Sequence, residues 1–199
     1  IGKAGEKYFA LRIGLGFDAD IVNGASTKLK DKLGYFAYFL QGFKSAFKLS
    51  KKKTRLNVDG KTYEVDANSV IVSNSGNMFK NKVSVAPHGS TSDGKLDIFI
   101  LTARNFIDFL KVFFQILFNR HVNSDSVMYI QGKNIEIESY DARAHIDGEP
   151  LQGSKLTIEV IPRALSVLVP QPTFKPAYAK FLSYQPKKAF AKESLTFQN

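Results

Sequence analysis

Two carboxylates, Asp147 and Glu149, stand two residues apart in Ala144-His145-Ile146-Asp147-Gly148-Glu149-Pro150-Leu151. The preceding residues, Ile135 to Ala144, alternate apolar and polar like a strand with one buried face. If that alternation continues, Asp147 and Glu149 project to the same side. Two acids on one face repel each other unless a proton, a metal or a cation lies between them, so the pair suits proton transfer or cation binding. The same residues also fit a solvated strand end running into a turn. His145 on that strand completes an imaginable His/Asp/Glu metal triad. Three ligands from one strand wrap a metal poorly, and a histidine packed at a strand edge is the simpler expectation.

A second oxygen-rich stretch is Ala86-Pro87-His88-Gly89-Ser90-Thr91-Ser92-Asp93-Gly94-Lys95-Leu96-Asp97. Hard cations such as Mg²⁺ take carboxylate and carbonyl oxygens plus waters, which Asp93 and its neighbours can supply. Asp-Gly is equally a common turn dipeptide. Gly14-Leu15-Gly16 lacks the third glycine and the acidic partner of a dinucleotide fingerprint. His88 and His121 stand in loop-like sequence with no evident partner.

The elements that must position these residues are mostly short strands. Tyr8 to Ile13 reads as a strand ending in the glycine turn Gly14-Leu15-Gly16, with Asp18 as N-cap of a short helix. Leu33 to Phe47 carries Phe36, Phe39, Leu40, Phe43 and Phe47 at helical spacing. Arg55 to Val65 reads as a hairpin turning at Asp59-Gly60. Ser69–Ser73, Lys82–Ala86, Leu96–Leu101, Val127–Ile137, Ala142–Ile146, Leu156–Ile161 and Leu165–Val169 read as further strands, and Asn105–Asn119 as a long helix capped by Asn105. Many short strands between turn signals indicate antiparallel sheets packed as a sandwich. The expected fold is therefore β-dominated α+β, a two-sheet antiparallel β-sandwich with helical insertions.

The 199 residues suffice for one domain with a buried core, and 17 Phe with 44% hydrophobic residues argue against disorder. The absence of Cys excludes a disulfide framework and thiolate chemistry. The apolar stretch Phe106 to Phe118 carries Asp108, Lys111 and Gln115 and is too short to span a bilayer. A chain beginning at Ile1 is expected to be a piece of a longer protein. The net charge of +10 gathers at Lys44, Lys48, Lys51, Lys52, Lys53 and Arg55 and again in the tail. Such a surface suits anionic lipid or phosphorylated ligands, or is a solvated face. No nucleic-acid module signature is present, so nucleic acid is not an expected partner.

Taken together the motifs are more specific. Gly14-Leu-Gly-Phe-Asp-Ala19, Val72-Ser-Asn74, Ala86-Pro87 to Asp93-Gly-Lys-Leu-Asp97, and Asp147-Gly-Glu-Pro-Leu151 occur in this order. They are followed by Ile158-Glu-Val-Ile-Pro-Arg-Ala-Leu-Ser-Val-Leu-Val-Pro170. From Tyr8 to Pro170 the chain resembles the C-terminal domain of the diacylglycerol, sphingosine and ceramide kinase superfamily, especially its bacterial diacylglycerol/lipid kinase branch.

The resemblance implies a NAD-kinase-like β-sandwich domain over 1–170 and a basic tail, 171–199, packing on an absent N-terminal nucleotide-binding domain. It implies an ATP- and Mg²⁺-dependent lipid kinase, a transferase of phospholipid metabolism that phosphorylates a lipid hydroxyl, with diacylglycerol the first acceptor. Glu149 matches the general base, and Asp147 lies in the same cluster, helping to hold Mg²⁺-nucleotide or orient the acceptor. A structural Mg²⁺ would take the Asp93 carboxylate and the carbonyls of Ser90 and Lys95. The lipid would enter between the two sheets, and the protein would be cytoplasmic and peripheral to the membrane. A homodimer is among the partners compatible with the resemblance. The family's Gly-Gly-Asp-Gly-Thr nucleotide motif does not occur in these residues, so the fragment alone is expected to be inert. Two alternatives stay open: a sphingoid-base or ceramide kinase, and a non-catalytic lipid- or membrane-binding sandwich touching anionic bilayer through Lys44 to Arg55 and Phe106 to Phe118.

Overall fold

The structure, a computed structural model, describes residues 1–19, 50–75, 77–78, 83–139, 143–153 and 155–167. The expected helix Leu33–Phe47, the basic residues Lys44 and Lys48, and the tail 171–199 lie outside the described residues. A compact unit runs from Ile1 to Leu165. Its strands are β1 (Gly2–Ala4), β2 (Lys7–Phe9), β3 (Arg12–Gly16), β4 (Lys52–Val58), β5 (Lys61–Ala67), β6 (Ser69–Ser73) and β7 (Asn77–Met78). They continue with β8 (Val83–Ser84), β9 (Leu96–Leu101), β10 (Val127–Gly132), β11 (Asn134–Ser139), β12 (Ala144–Ile146), β13 (Glu149–Leu151) and β14 (Lys155–Val160). The helix α1 (Phe106–Leu117) is described over its whole length, together with a 3-10 turn at His121–Asn123; residues 17–19 are also helical.

Two antiparallel sheets form the sandwich. The first has the order β2-β1-β14-β11-β4-β5 and the second β10-β9-β6-β3-β12-β13, with β7 and β8 as a small separate pair. Alternation places Leu56, Val58, Ile135, Ile137, Leu156 and Ile158 of the first sheet against Ile13, Leu15, Val70, Val72, Ile98 and Ile100 of the second. These apolar side chains are buried between the sheets and form one continuous core. Among the described residues, a lipid entering between the sheets would have to displace these side chains.

On its outer face the second sheet is covered by α1. Val112, Phe109 and Ile116 of the helix pack on Ile71, Phe99, Leu101 and Ala103. The N-cap is Asn105, as read from the sequence, and its side chain accepts the Asp108 N–H at 2.9 Å. Asp108 in turn pairs with Arg104 at 3.1 Å.

Three sequence readings require correction. Tyr8–Ile13 is two strands in different sheets, because the chain turns at Ala10-Leu11 to pass from β2 to β3. Val127–Ile137 likewise divides at Lys133 into β10 and β11 of opposite sheets. The alternation from Ile135 therefore stops at Ser139, and β12 starts afresh in the other sheet. Of the strand expected at Leu165–Val169, residues 165–167 are irregular and the rest lie outside the described residues. Among the described residues no helix is long and apolar enough to cross a membrane.

Candidate active site

The segment 144–151 is an edge hairpin rather than one strand. Ile146 pairs with Glu149 across the two-residue loop Asp147-Gly148, whose φ values of 46° and 97° are those a tight right-twisted hairpin requires. Asp147 and Glu149 consequently do not share a strand face, which corrects the alternation reading. Glu149 opposes Ile146 on an edge strand and is exposed. Its carboxylate has no partner among the described residues. Pro150, which has no N–H to donate, sits where only an edge strand tolerates it.

Asp147 faces a different environment. Its carboxylate accepts the backbone N–H groups of Ala10 (2.7 Å), Leu11 (3.0 Å) and Arg12 (2.8 Å), and its own N–H donates to the Arg12 carbonyl at 2.9 Å. It thereby fastens the hairpin to the turn where the chain crosses between sheets. The other Asp-Gly hairpin uses the same device. Asp59, between β4 and β5, accepts the N–H groups of Lys133 and Asn134 at the β10–β11 crossover. Its turn at Asp59-Gly60 is the one read from the sequence.

Behind the hairpin lies a buried polar cluster that sequence reasoning missed. Asp18 Oδ2 is 2.7 Å from His145 Nε2, and Asp18 Oδ1 is 3.3 Å from the Arg12 guanidinium. His145 Nδ1 accepts the Gly148 N–H at 3.3 Å, so the ring proton resides on Nε2, from which it is donated to Asp18. Burial alone would raise the Asp18 pKa; the Arg12 charge and the His145 hydrogen bond outweigh it and hold the carboxyl below its ordinary value. Asp18 lies within the helical turn at 17–19 instead of capping it. His145 points away from the face that carries Glu149 and is fully buried, so the metal triad does not form.

Both glycines of Gly14-x-Gly16 are explained by this cluster. Gly14 is not in a turn but within β3, opposite His145, and a Cβ there would overlap both the Asp18 carboxylate and the imidazole. Gly16 has φ 71° and lies so close to the Asn68 carbonyl that no side chain fits. It ends the strand and turns the chain so that Asp18 comes back over Gly14. The available signal was an acid two residues past a strand glycine, read together with a histidine on the neighbouring strand.

The loop preceding β9 is tied together by short-range hydrogen bonds of its own side chains. Asp93 Oδ1 accepts the Lys95 N–H at 3.0 Å, Ser90 Oγ and Ser92 Oγ are 3.1 Å apart, and Gly94 has φ 69°. Among the described residues no three His, Cys, Asp or Glu side chains gather as a metal cluster. One carboxylate with hydroxyl and carbonyl oxygens nonetheless fits a hydrated Mg²⁺, which needs few protein ligands.

Below this loop Asp97 is buried, its Oδ1 accepting from Tyr129 Oη and, at 2.7 Å, from Gln131 Nε2. Burial raises the Asp97 pKa, those hydrogen bonds oppose it, and the charge on Asp93 adds to it. His88 packs edge-on against Tyr129, and His121 is buried with Nε2 3.0 Å from the Val85 carbonyl. Neither histidine is the unpartnered loop residue the sequence suggested.

A family model described as the YegS C-terminal NAD kinase beta sandwich-like domain matches residues 12–169. The chain belongs to that family. Its relatives bear out the resemblance drawn from the motifs. The diacylglycerol kinase of Bacillus subtilis (strain 168) is 28% identical over 152 residues, covering 75% of this chain and 49% of that protein. The diacylglycerol kinase of Mycobacterium tuberculosis (strain H37Rv) is 27% identical over 168 residues, 83% of this chain and 53% of that protein. A crystal structure of a diacylglycerol kinase from Bacillus anthracis str. Sterne matches with a TM-score of 0.61 at 24% identity, over 81% of this chain and 52% of that one. That likeness speaks for the β-sandwich fold alone. The chain spans about half the length of these relatives.

Proposed function

We propose that this chain is the base-bearing part of an ATP-dependent lipid kinase, with diacylglycerol as the acceptor. The observation that carries the reading is the contrast between the two acids of the hairpin. Asp147 is engaged by three backbone N–H groups, while Glu149, two residues on, presents from a fastened frame a carboxylate with no partner among the described residues. Glu149 accepts the proton of the lipid hydroxyl as its oxygen bonds to the γ-phosphorus and the bond to ADP breaks. Phosphoryl transfer asks mainly for positioning and charge neutralisation, so an anchored carboxylate is an adequate base.

In this account Asp147 positions the hairpin and holds no Mg²⁺-nucleotide. The nucleotide is bound chiefly by residues outside this chain. Asp93, with the carbonyls of Ser90 and Lys95, would hold a Mg²⁺ whose charge offsets the acids of the 86–97 segment. Sphingoid bases and ceramides offer the same hydroxyl chemistry, and assays with these acceptors beside diacylglycerol separate them.

Peripheral membrane contact at the cytoplasmic face is part of the same proposal. Ile107, Phe114, Leu117 and Phe118 are exposed along one side of α1, with Lys111 among them. An apolar stripe with a cation suits an anionic bilayer surface. Phe114→Glu should lower co-sedimentation of the full-length protein with phosphatidylglycerol vesicles; unchanged binding would remove α1 from the contact. The kinase reading itself is tested by Glu149→Ala in the full-length protein, assayed for phosphoryl transfer to diacylglycerol.

A further inference from the structure

The Asp147-Gly148-Glu149 hairpin closes a ring of contacts around β3. Arg12 pairs with Asp18, Asp18 with His145, and His145 Nδ1 with the Gly148 N–H. Asp147 then returns to the backbone at Arg12 through both its carboxylate and its N–H. β13 is an edge strand of three residues with Pro150 at its centre, so the ladder to β12 alone restrains it weakly. The peptide joining Asp147 to Gly148 is held from two sides: by the Asp147 carboxylate outside the sheet and by His145 beneath it. Glu149 is the next residue.

We propose that His145 is a positioning residue for Glu149, acting through the Gly148 amide. The imidazole does two separable things. Nε2–H satisfies the buried Asp18 carboxylate, which is a matter of stability. Nδ1 receives the Gly148 N–H and so fixes the orientation of the loop from which the proton acceptor projects. The inference rests on the kinase reading for its consequence in turnover, but its geometric content, the restraint on Gly148, is measurable without turnover.

The two functions divide between two substitutions in the full-length protein. Asparagine carries an acceptor near the place of Nδ1 and cannot reach Asp18, whereas glutamine reaches Asp18 and leaves Gly148 without its acceptor. His145→Gln is expected to lower kcat for diacylglycerol phosphorylation ~10-fold or more with little change in KM, because small misplacements of a reacting group are costly. The Gly148 amide should then exchange with solvent faster while Tm stays near that of the wild type. His145→Asn is expected to keep most of kcat and the slow Gly148 exchange while losing Tm. Wild-type kcat in His145→Gln, or losses of kcat that simply follow Tm in both variants, would overturn the inference. If His145→Gln does not fold, His145→Asn decides alone: retained kcat supports the role and lost kcat overturns it. If the wild type transfers no phosphoryl group, the kinase reading fails and Gly148 exchange decides the restraint. Faster exchange only in His145→Gln supports it, and equal exchange in the two variants overturns it.

Discussion

Asp18 and His145, 127 positions apart in sequence, meet at 2.7 Å over the bare backbone of Gly14. The two short strands β3 and β12 are neighbours in the sheet, and Gly14 pairs with His145. Absence of a side chain at Gly14 is what lets an acid and an imidazole occupy that spot. The His145 contact to the Gly148 amide, which holds the Glu149 hairpin beside its strand ladder, depends on this vacancy.

Gly14→Ala should therefore push Asp18 and His145 apart. Overpacking of a filled site costs ~1–3 kcal/mol, and here it also breaks a buried charge-assisted hydrogen bond. Chemical denaturation of the full-length protein should show a lower midpoint, while Ala at Gly60, which has open space but φ 87°, should cost only about 1 kcal/mol.

Two buried groups, His121 and Asp18, each make stability decline as pH falls. His121 is buried, and that burial, against the Val85 hydrogen bond, lowers its pKa from the ordinary 6.5. As pH falls through about 6.5 the unfolded chain takes up this proton before the folded chain does, so stability declines. Asp18 has a folded pKa below 3.8, so its contribution is present above that value and is lost as pH falls through the depressed one. Denaturation midpoints measured from pH 8 downward should decline first near pH 6.5, and His121→Phe should remove that first decline.

Asp147→Ala leaves the N–H groups of Ala10, Leu11 and Arg12 without their acceptor and puts alanine at a φ of 46°. The expected cost is ~2–3 kcal/mol, moderated by the exposure of the site. Asp147→Asn should cost less, since asparagine accepts hydrogen bonds and tolerates that backbone conformation. Equal stability of the alanine variant and the wild type would mean that the carboxylate does not hold the crossover.

If Mg²⁺ binds the 90–95 loop, it should raise Tm of the full-length protein in a saturable manner, and EDTA should reverse the shift. Asp93→Asn removes the only carboxylate among the proposed ligands and should abolish the response. A Mg²⁺-induced shift that survives Asp93→Asn would locate the ion elsewhere.

Much of the sandwich was legible because strand and turn signals are local. Ser69–Ser73, Leu96–Leu101, the Asn105-capped helix and the Asp59-Gly60 hairpin follow from alternation, capping and left-handed turn chemistry. The sheet crossovers at Ala10-Leu11 and Lys133 were not legible, since a strand that changes sheets keeps its apolar alternation through the bend. Asp147 was misplaced for the same reason: alternation says nothing about where a hairpin loop replaces a strand. The Asp18–His145 pair was missed because its one signal, an acid just past a strand glycine, becomes specific only with the register between strands far apart in sequence. Glu149 was picked out by the motif as a whole, and the exposure of its carboxylate stood out only against the engaged one of Asp147.

The central claim is that Glu149 accepts the proton of a lipid hydroxyl. Initial rates of phosphoryl transfer from labelled ATP to diacylglycerol in mixed micelles, compared for the full-length protein and Glu149→Ala, test it most directly. The account predicts a fall of ~10²-fold or more in kcat, with Tm and vesicle binding unchanged, since the side chain is exposed. Transfer at the wild-type rate by Glu149→Ala would contradict it.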